Sequence, residues 1–580
     1  MRTRLGALLA IAAVTMAGMT SSVVAAEGEA VAGRFDRPQL GFAPPGTTLR
    51  PATPEEAGLD PAPLVAAEQK VDAWTRPDST GHPLFAGAVG VQIHDGMIVN
   101  THTAGSGLRY ADGAGTELPA GQQVPMRMDT IFDLASISKL FTSLAVMQLI
   151  EAGQVRVDEP VATYLPEFGV NGKAGISVGQ LLTHTSGLEP FLPLWRDWPD
   201  KAARIKAVMD VKPMYEPGST YKYSDLNLIT LGVLVERLTG QPLDVRVRER
   251  ITEPLGMVDT GYNPPAEKLD RVAATEFMAV PDRGMIRGQV HDENAWSLGG
   301  VAGHAGVFST AADLSRLGQA ILNGGAYDGQ RILREDSVRQ MLTDYNQAFP
   351  GNAHGLGFEL DQLWYMGGLT SPATAGHTGF TGTSLVIDPT SRSIAILLTN
   401  RVHPTRNWGS INIARETWAT GLARSLAVPP KHGPDAWFTE IGNLSTATLT
   451  TKPLTLGSRP LRVTFDAFVD TEPTDQLVLE STVDGTSWQP VSLRAVGPGA
   501  PGGEVTALSG TGHRSWWAVS AMVRPSEIVA LRWRYTTDKA YTARGVLLDG
   551  VKAVVSGNAV LDLERAPEAV TPERWQLRSR

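Results

Sequence analysis

A serine and a lysine three residues apart, in Ser136-Ile137-Ser138-Lys139, are the pair in this sequence best suited to covalent chemistry. Positions three apart on a helix share a face, so the lysine amine can sit beside the serine hydroxyl. A serine hydroxyl is a weak nucleophile until a neighbouring base takes its proton. A lysine serves as that base only where burial and neighbours lower its pKa, and a helix N-terminus adds backbone N–H groups that favour an anion. The spacing alone is a weak signal, because about one match is expected by chance in a chain of ordinary composition and this size. A second match, Ser219-Thr220-Tyr221-Lys222, comes after Pro217-Gly218 in a turn with no helical pattern beyond it. Ser136 instead opens a run with apolar residues at Leu140, Phe141, Leu144, Ala145 and Leu149, one helical face that Gly153 can end. Context selects Ser136.

A longer constellation, spread along the chain, is more specific than the pair. Glu216-Pro217-Gly218-Ser219 leads into Tyr223-Ser224-Asp225, and His377-Thr378-Gly379 stands directly before a predicted strand pair. With Leu181-Leu182-Thr183-His184-Thr185-Ser186-Gly187-Leu188, and Gly299-Gly300 through Phe308-Ser309-Thr310, the chain resembles the penicillin-recognising serine hydrolases over roughly residues 50–425. That group includes class C β-lactamases, D,D-carboxypeptidases, D-aminopeptidases and related esterases. The resemblance implies an α+β fold of the β-lactamase/transpeptidase type, an antiparallel sheet flanked by helices with an all-helical lobe. It gives Ser136 the attack on a carbonyl, Lys139 a proton-accepting or electrostatic role, and Tyr223 the shuttling of a proton to the leaving group. Whether Lys139 or Tyr223 is the acylation base stays open. The resemblance also sets His377, Thr378 and Gly379 along the site and makes the backbone N–H groups of Ser136 and Phe380 an oxyanion hole.

Two positions depart from the family pattern. His377 stands where many β-lactamases have lysine, and a mostly neutral imidazole binds a carboxylate less firmly than a fixed ammonium. Asp225 stands where asparagine is usual; an ionised aspartate can only accept, so it can hold Lys139 by charge or meet a substrate amine. The expectation is weak β-lactamase activity and a preference for small peptides or esters, with Asp225, Thr378, Gly379 and His304 as substrate contacts. His304, beside the Asp292-Glu293-Asn294 stretch, is expected near the cleft, whereas His184 is read as bonding backbone in a tight loop. Gly175-Ile176-Ser177-Val178-Gly179 matches a nucleophile-elbow pattern but lacks the hydrophobic strand before it, so Ser177 reads as a helix cap. Nothing resembles H-E-x-x-H or another close metal cluster, so neither a metal nor a cofactor is expected.

The 580 residues carry 51 Lys+Arg and 60 Asp+Glu, a net charge of −9 without basic runs, which argues against nucleic acid as partner. With no cysteine, disulfides and a thiol nucleophile are excluded. Arg2 and Arg4, the apolar stretch Leu5 to Met19, and Val24-Ala25-Ala26 describe a secretory signal over residues 1–26, then an extended lead-in over 27–55. No later segment is long and apolar enough to span a bilayer. The hydrolase part is expected over 56–427, with strands at 88–93, 97–99, 384–387 and 394–398 and a closing helix over 411–426. A Pro-rich linker, 428–434, precedes a jelly-roll-like β-sandwich over 435–580, where Leu461, Val463, Phe465, Ala467 and Val469 alternate with polar neighbours. Trp516-Trp517 is read as sandwich core. The chain is thus expected to be a secreted serine hydrolase acting through an acyl-serine on D-amino-acid peptides, β-lactams or small esters, its substrate derived from the cell wall. The alternatives are a non-catalytic cell-wall recognition protein and an adhesin binding glycan or protein through the sandwich.

Overall fold

The computed structural model describes residues 33–456, 459–526 and 528–579. The signal expected over residues 1–26 and the first part of the lead-in lie outside the described residues. Among those described, no helix is long and apolar enough to cross a membrane.

An eight-stranded sheet forms the spine of the α+β part. Its strands are β1 (Arg50–Pro51), β2 (Gly87–His94), β3 (Met97–Leu108), β4 (Glu359–Leu360), β5 (Ala375–Gly379), β6 (Thr383–Asp388) and β7 (Ser393–Thr399), with Val124–Pro125 paired to β3. Their order across the sheet is β1-β3-β2-β7-β6-β5-β4, antiparallel except for β1 beside β3. Asp95 and Gly96 join β2 to β3 with φ of 46° and 77°, the left-handed pair that a tight hairpin turn demands. Every residue of β2, β6 and β7 is buried, because both faces of the sheet are covered.

Six helices matter here: α1 (Pro61–Trp74), α2 (Ser138–Glu151), α3 (Asp225–Thr239), α4 (Glu293–Ser297), α5 (Ala311–Leu322) and α6 (Asn412–Ser425). Helix α2 differs from its sequence reading as a one-faced helix: all its residues from Ser138 to Leu149 are buried. It runs between the sheet and the helical lobe, and so has no solvent face. The Ser177 expectation holds, since its side chain caps the short helix Val178–Leu182 in a reciprocal capping box with Gln180. Helices α1 and α6 cover the opposite face of the sheet, where Val71, Val386, Leu397, Trp418 and Leu422 share one core.

Two further sheets make up the C-terminal sandwich. One runs, in spatial order, through Leu493–Val496, Trp516–Val523, Leu461–Asp470, Gly545–Val555, Ala436–Thr439 and Gln576–Arg578. The other is built around Gln476–Thr482, Ile528–Thr536 and Thr446–Thr451. The alternation from Leu461 gives inward and outward residues as expected until Ala467, after which both faces are buried. Phe468 breaks the pattern because its ring packs 6.3 Å from Phe35 of the α+β part. Trp517 fills the sandwich core, and Trp516 sits edge-on to Phe468 at the junction.

Charge fixes that junction. Arg514 of the sandwich is 1% exposed; its Nη1 donates to Asp388 Oδ2 at 2.6 Å and its Nη2 to the Leu369 carbonyl at 2.7 Å. Arg544 donates to the Leu426 carbonyl at the end of α6, and both guanidinium groups lie over the Phe35 ring. Through the Pro-rich segment, the Lys431 and His432 amides donate to Asp549. Removing one partner of a buried pair leaves an uncompensated charge. Arg514→Ala is therefore expected to destabilise the protein by ~3–5 kcal/mol, and Asp388→Asn added to it to restore part of that loss. Unchanged denaturation of the single variant would show that the pair does not secure the junction.

Candidate active site

Ser136 lies in a 3-10 turn, Ala135–Ile137, that runs directly into α2. Ala135 is held at φ 47°, a conformation a side chain rarely adopts. Its amide donates to Asp133 Oδ1 at 2.9 Å, and the other oxygen of that carboxylate accepts the His291 amide at 2.6 Å. Thr381 and Thr383 then bond the carbonyls of Asp133 and Leu134. Buried Asp133 thus braces the turn that presents the serine, a role with no signal in the sequence.

The helical spacing does what it promised. Lys139 is 1% exposed and its Nζ donates to Ser136 Oγ at 2.9 Å, to Asp225 Oδ1 at 2.8 Å and to the His304 carbonyl at 3.1 Å. Burial pushes the Lys139 pKa down, but the Asp225 carboxylate, seconded by Tyr223, holds it above its ordinary value. Tyr223 lies beside this ammonium, 4.9 Å from Nζ to the ring centre. Burial pushes its phenol up to about 12, with Lys139 opposing.

His184 meets its expectation and adds to it. Its Nδ1 accepts the Ser224 amide and the Asn227 side-chain amide, each at 3.1 Å, and its carbonyl accepts the Lys222 amide. The ring lies 4.5 Å from that of Tyr223, so His184 secures the loop carrying the tyrosine. His304 does not line the cleft. It is 1% exposed, with Nε2 on Asp292 Oδ1 at 2.9 Å, and it meets Lys139 only through its carbonyl. Asp225, Asp292 and His304 bring polar atoms within 4.8 Å of one another, and the cation bonded to Asp225 is the Lys139 ammonium.

Strand β5 forms the opposite wall. A Cβ on Gly379 would stand 2.2 Å from the Leu134 carbonyl, so only glycine lets the strand approach the serine turn. His377 is 1% exposed; Nδ1 bonds the Thr378 carbonyl, and Nε2 has no partner among the described residues. Burial, with the charge of Lys139 behind it, pushes its pKa down to about 3, so the ring is neutral at pH 7. Ser136, Tyr223, His377, Thr378, Gly379 and Phe380 all line a cleft of about 590 Å³. Phe380 comes just after the end of β5, its ring 58% exposed at the mouth between His291 and Arg406.

The cleft also holds charged groups that sequence reasoning missed. Arg415 of α6 donates to the Gly379 carbonyl at 2.6 Å and to Asn412 Oδ1 at 3.0 Å. Burial pushes it down to about 10, which leaves it a cation at neutral pH. Glu359 of β4 also faces the cleft, and burial pushes its carboxyl up to about 7 against the pull of Tyr365 and Arg415. A lone arginine in a helix and a glutamate in a two-residue strand give no pattern to read.

Residues 75–416 match the Beta-lactamase family. The Escherichia coli (strain K12) protein named "Putative D-alanyl-D-alanine carboxypeptidase" is 33% identical over 389 residues, covering 61% of this chain and 86% of that one. A Salmonella agona protein of the same name is 32% identical over 399 residues, covering 62% and 88%. Among solved structures, a class C β-lactamase covers 63% of this chain and 98% of its own at 19% identity and a TM-score of 0.50, a likeness of fold. A penicillin-binding protein homologue from Caulobacter crescentus covers 62% and 98% at 24% identity, with a TM-score of 0.48. With the family matched over more than half its length, this chain belongs to the β-lactamase family of serine hydrolases.

Proposed function

We propose that the chain is an exported serine D,D-peptidase, acting through an acyl-enzyme at Ser136 on peptides that end in a free carboxylate. The observation that carries this reading is Arg415: a cation in the cleft, bonded to the end of β5, on a wall where His377 is neutral. A substrate strand lying along β5 would set its terminal carboxylate toward Arg415 and Thr378, with its scissile carbonyl at Ser136. Guanidinium geometry suits carboxylates. The kinship with proteins named "Putative D-alanyl-D-alanine carboxypeptidase" points the same way.

In this mechanism Ser136 attacks the carbonyl carbon while the amides of Ser136 and Phe380 receive the developing oxyanion. Tyr223, its hydroxyl protonated at neutral pH, donates toward the leaving nitrogen, and its loop is kept in place by His184. Water then cleaves the acyl-serine. A neutral His377 in place of a fixed ammonium fits weak turnover of β-lactams.

The first test is turnover of nitrocefin, p-nitrophenyl butyrate and a D-alanyl-D-alanine peptide by the mature protein and by Ser136→Ala. Loss of all turnover in the variant, with the peptide leading in the wild type, is expected. Retained activity would remove Ser136 as nucleophile, and a silent wild type with no covalent labelling would favour pure recognition. Arg415→Met should raise KM for the carboxylate-ended peptide at least ~10-fold while changing the ester little, the loss of about one charge-assisted hydrogen bond. Glu359 adds a pH effect. Its raised carboxyl gains charge as pH climbs through about 7, and that charge opposes a carboxylate held at Arg415. KM for the peptide is expected to rise above neutrality, and Glu359→Gln to flatten that rise.

A further inference from the structure

Lys139 is fully engaged before substrate arrives. Its three ammonium donors meet Ser136 Oγ, Asp225 Oδ1 and the His304 carbonyl. An ammonium that donates to the serine has no lone pair with which to take the serine's proton. Tyr223 is no readier: burial pushes its phenol up to about 12, and the Asp225 charge works against a tyrosinate. The anion bonded directly to the lysine is Asp225, where the wider family carries a neutral asparagine.

Resting on the acyl-serine reading, we propose that Asp225 is the terminal proton acceptor of acylation, taking a proton from Lys139 so that Lys139 can take the hydroxyl proton of Ser136. The Ser136 Oγ–carbon bond forms as the Oγ–H bond breaks, and that proton goes to Lys139 Nζ. Before that, one Nζ–H bond breaks, its proton going to Asp225 Oδ1, and the amine turns the lone pair so freed onto the Ser136 hydroxyl. The carbonyl π pair moves onto the oxygen, so the negative charge that began on Asp225 ends on the oxyanion. Lys139 is an ammonium before and after. On collapse of the tetrahedral species the proton returns through Lys139 and the Tyr223 hydroxyl to the leaving nitrogen.

The surroundings suit this transfer. Asp292, bonded to His304 Nε2, sets a second carboxylate within 4.8 Å of Asp225. The other titratable groups that act on Lys139 or answer to its charge are Tyr223, His184 beside the Tyr223 loop, His377 on β5 and Glu359 on β4. Both histidines are held neutral by burial, and neither bonds the lysine.

Asp225→Asn is nearly isosteric and removes both the proton acceptor and the charge that holds Lys139 as an ammonium. Acylation of Ser136 would be tracked with a fluorophosphonate probe and with the p-nitrophenyl ester burst, over a wide pH range, for wild type, Asp225→Asn and Asp225→Glu. At neutral pH the asparagine variant is expected to acylate at least ~100-fold more slowly, the usual weight of a general base. Its acid limb should move to higher pH, because Lys139 must then lose a proton to water first, and Asp225→Glu should recover part of the rate. An asparagine variant as fast as wild type with an unmoved pH profile would overturn the proposal. A wild type that no probe labels would instead sink the acyl-serine reading, and this proposal with it.

Discussion

One buried ammonium ties the site together. Lys139 is 1% exposed, and a charge in that position costs several kcal/mol unless its partners are close and well aimed. Its partners come from three places: the serine turn, the start of α3 and the loop before Val307. That loop is also tied to α2, since Thr142 bonds the Gly303 carbonyl and the Val307 amide donates to Ser138. Moving any of these segments leaves the ammonium short of an acceptor. Helix α2, buried on every side, thereby fixes the loop, the helical lobe and the nucleophile relative to one another.

Strand β5 supplies the second constraint, and the sandwich reaches it through one helix. Helix α6 presents Arg415 to the Gly379 carbonyl near its start and accepts Arg544 of the sandwich at its last carbonyls. Strand β6 of the same sheet ends at Asp388, the buried partner of Arg514. Arg514 and Arg544 also enclose Phe35 between them and the core shared by both parts. In physical terms the sandwich is a buttress for the sheet and helix that shape the Arg415 side of the cleft.

Legibility in the sequence tracks the range of each interaction. Ser136 and Lys139 were legible because their contact is local, one helical turn. The β2–β3 hairpin was legible because Asp95-Gly96 is a turn signal in itself, and β6, β7 and α6 ran to within about a residue of their expected bounds. Tyr223 and His377 were reached only through family phrases, since nothing near them in the chain announces that they meet Lys139. His304 was misjudged because its neighbourhood looked open, whereas the packed structure turns the ring onto Asp292. Arg415, Glu359, Asp133 and Arg514 act across long sequence separations, and single charged residues in ordinary helices, strands and turns carry no periodic mark.

Fold alone does not choose among peptidase, esterase and β-lactamase, because one scaffold hosts all three. The choice lies in where the cleft keeps its charges. Strand β5 carries no fixed cation; the imidazole of His377 is neutral and the cation of the cleft wall comes instead from Arg415 of α6. Asp225 makes the complementary change beside Ser136: where an asparagine would leave the lysine free to titrate, the carboxylate keeps it an ammonium. The two departures from the family pattern therefore act together. One frees the strand of its charge, and the other commits the lysine to holding one, so that the serine's proton needs an anion to receive it.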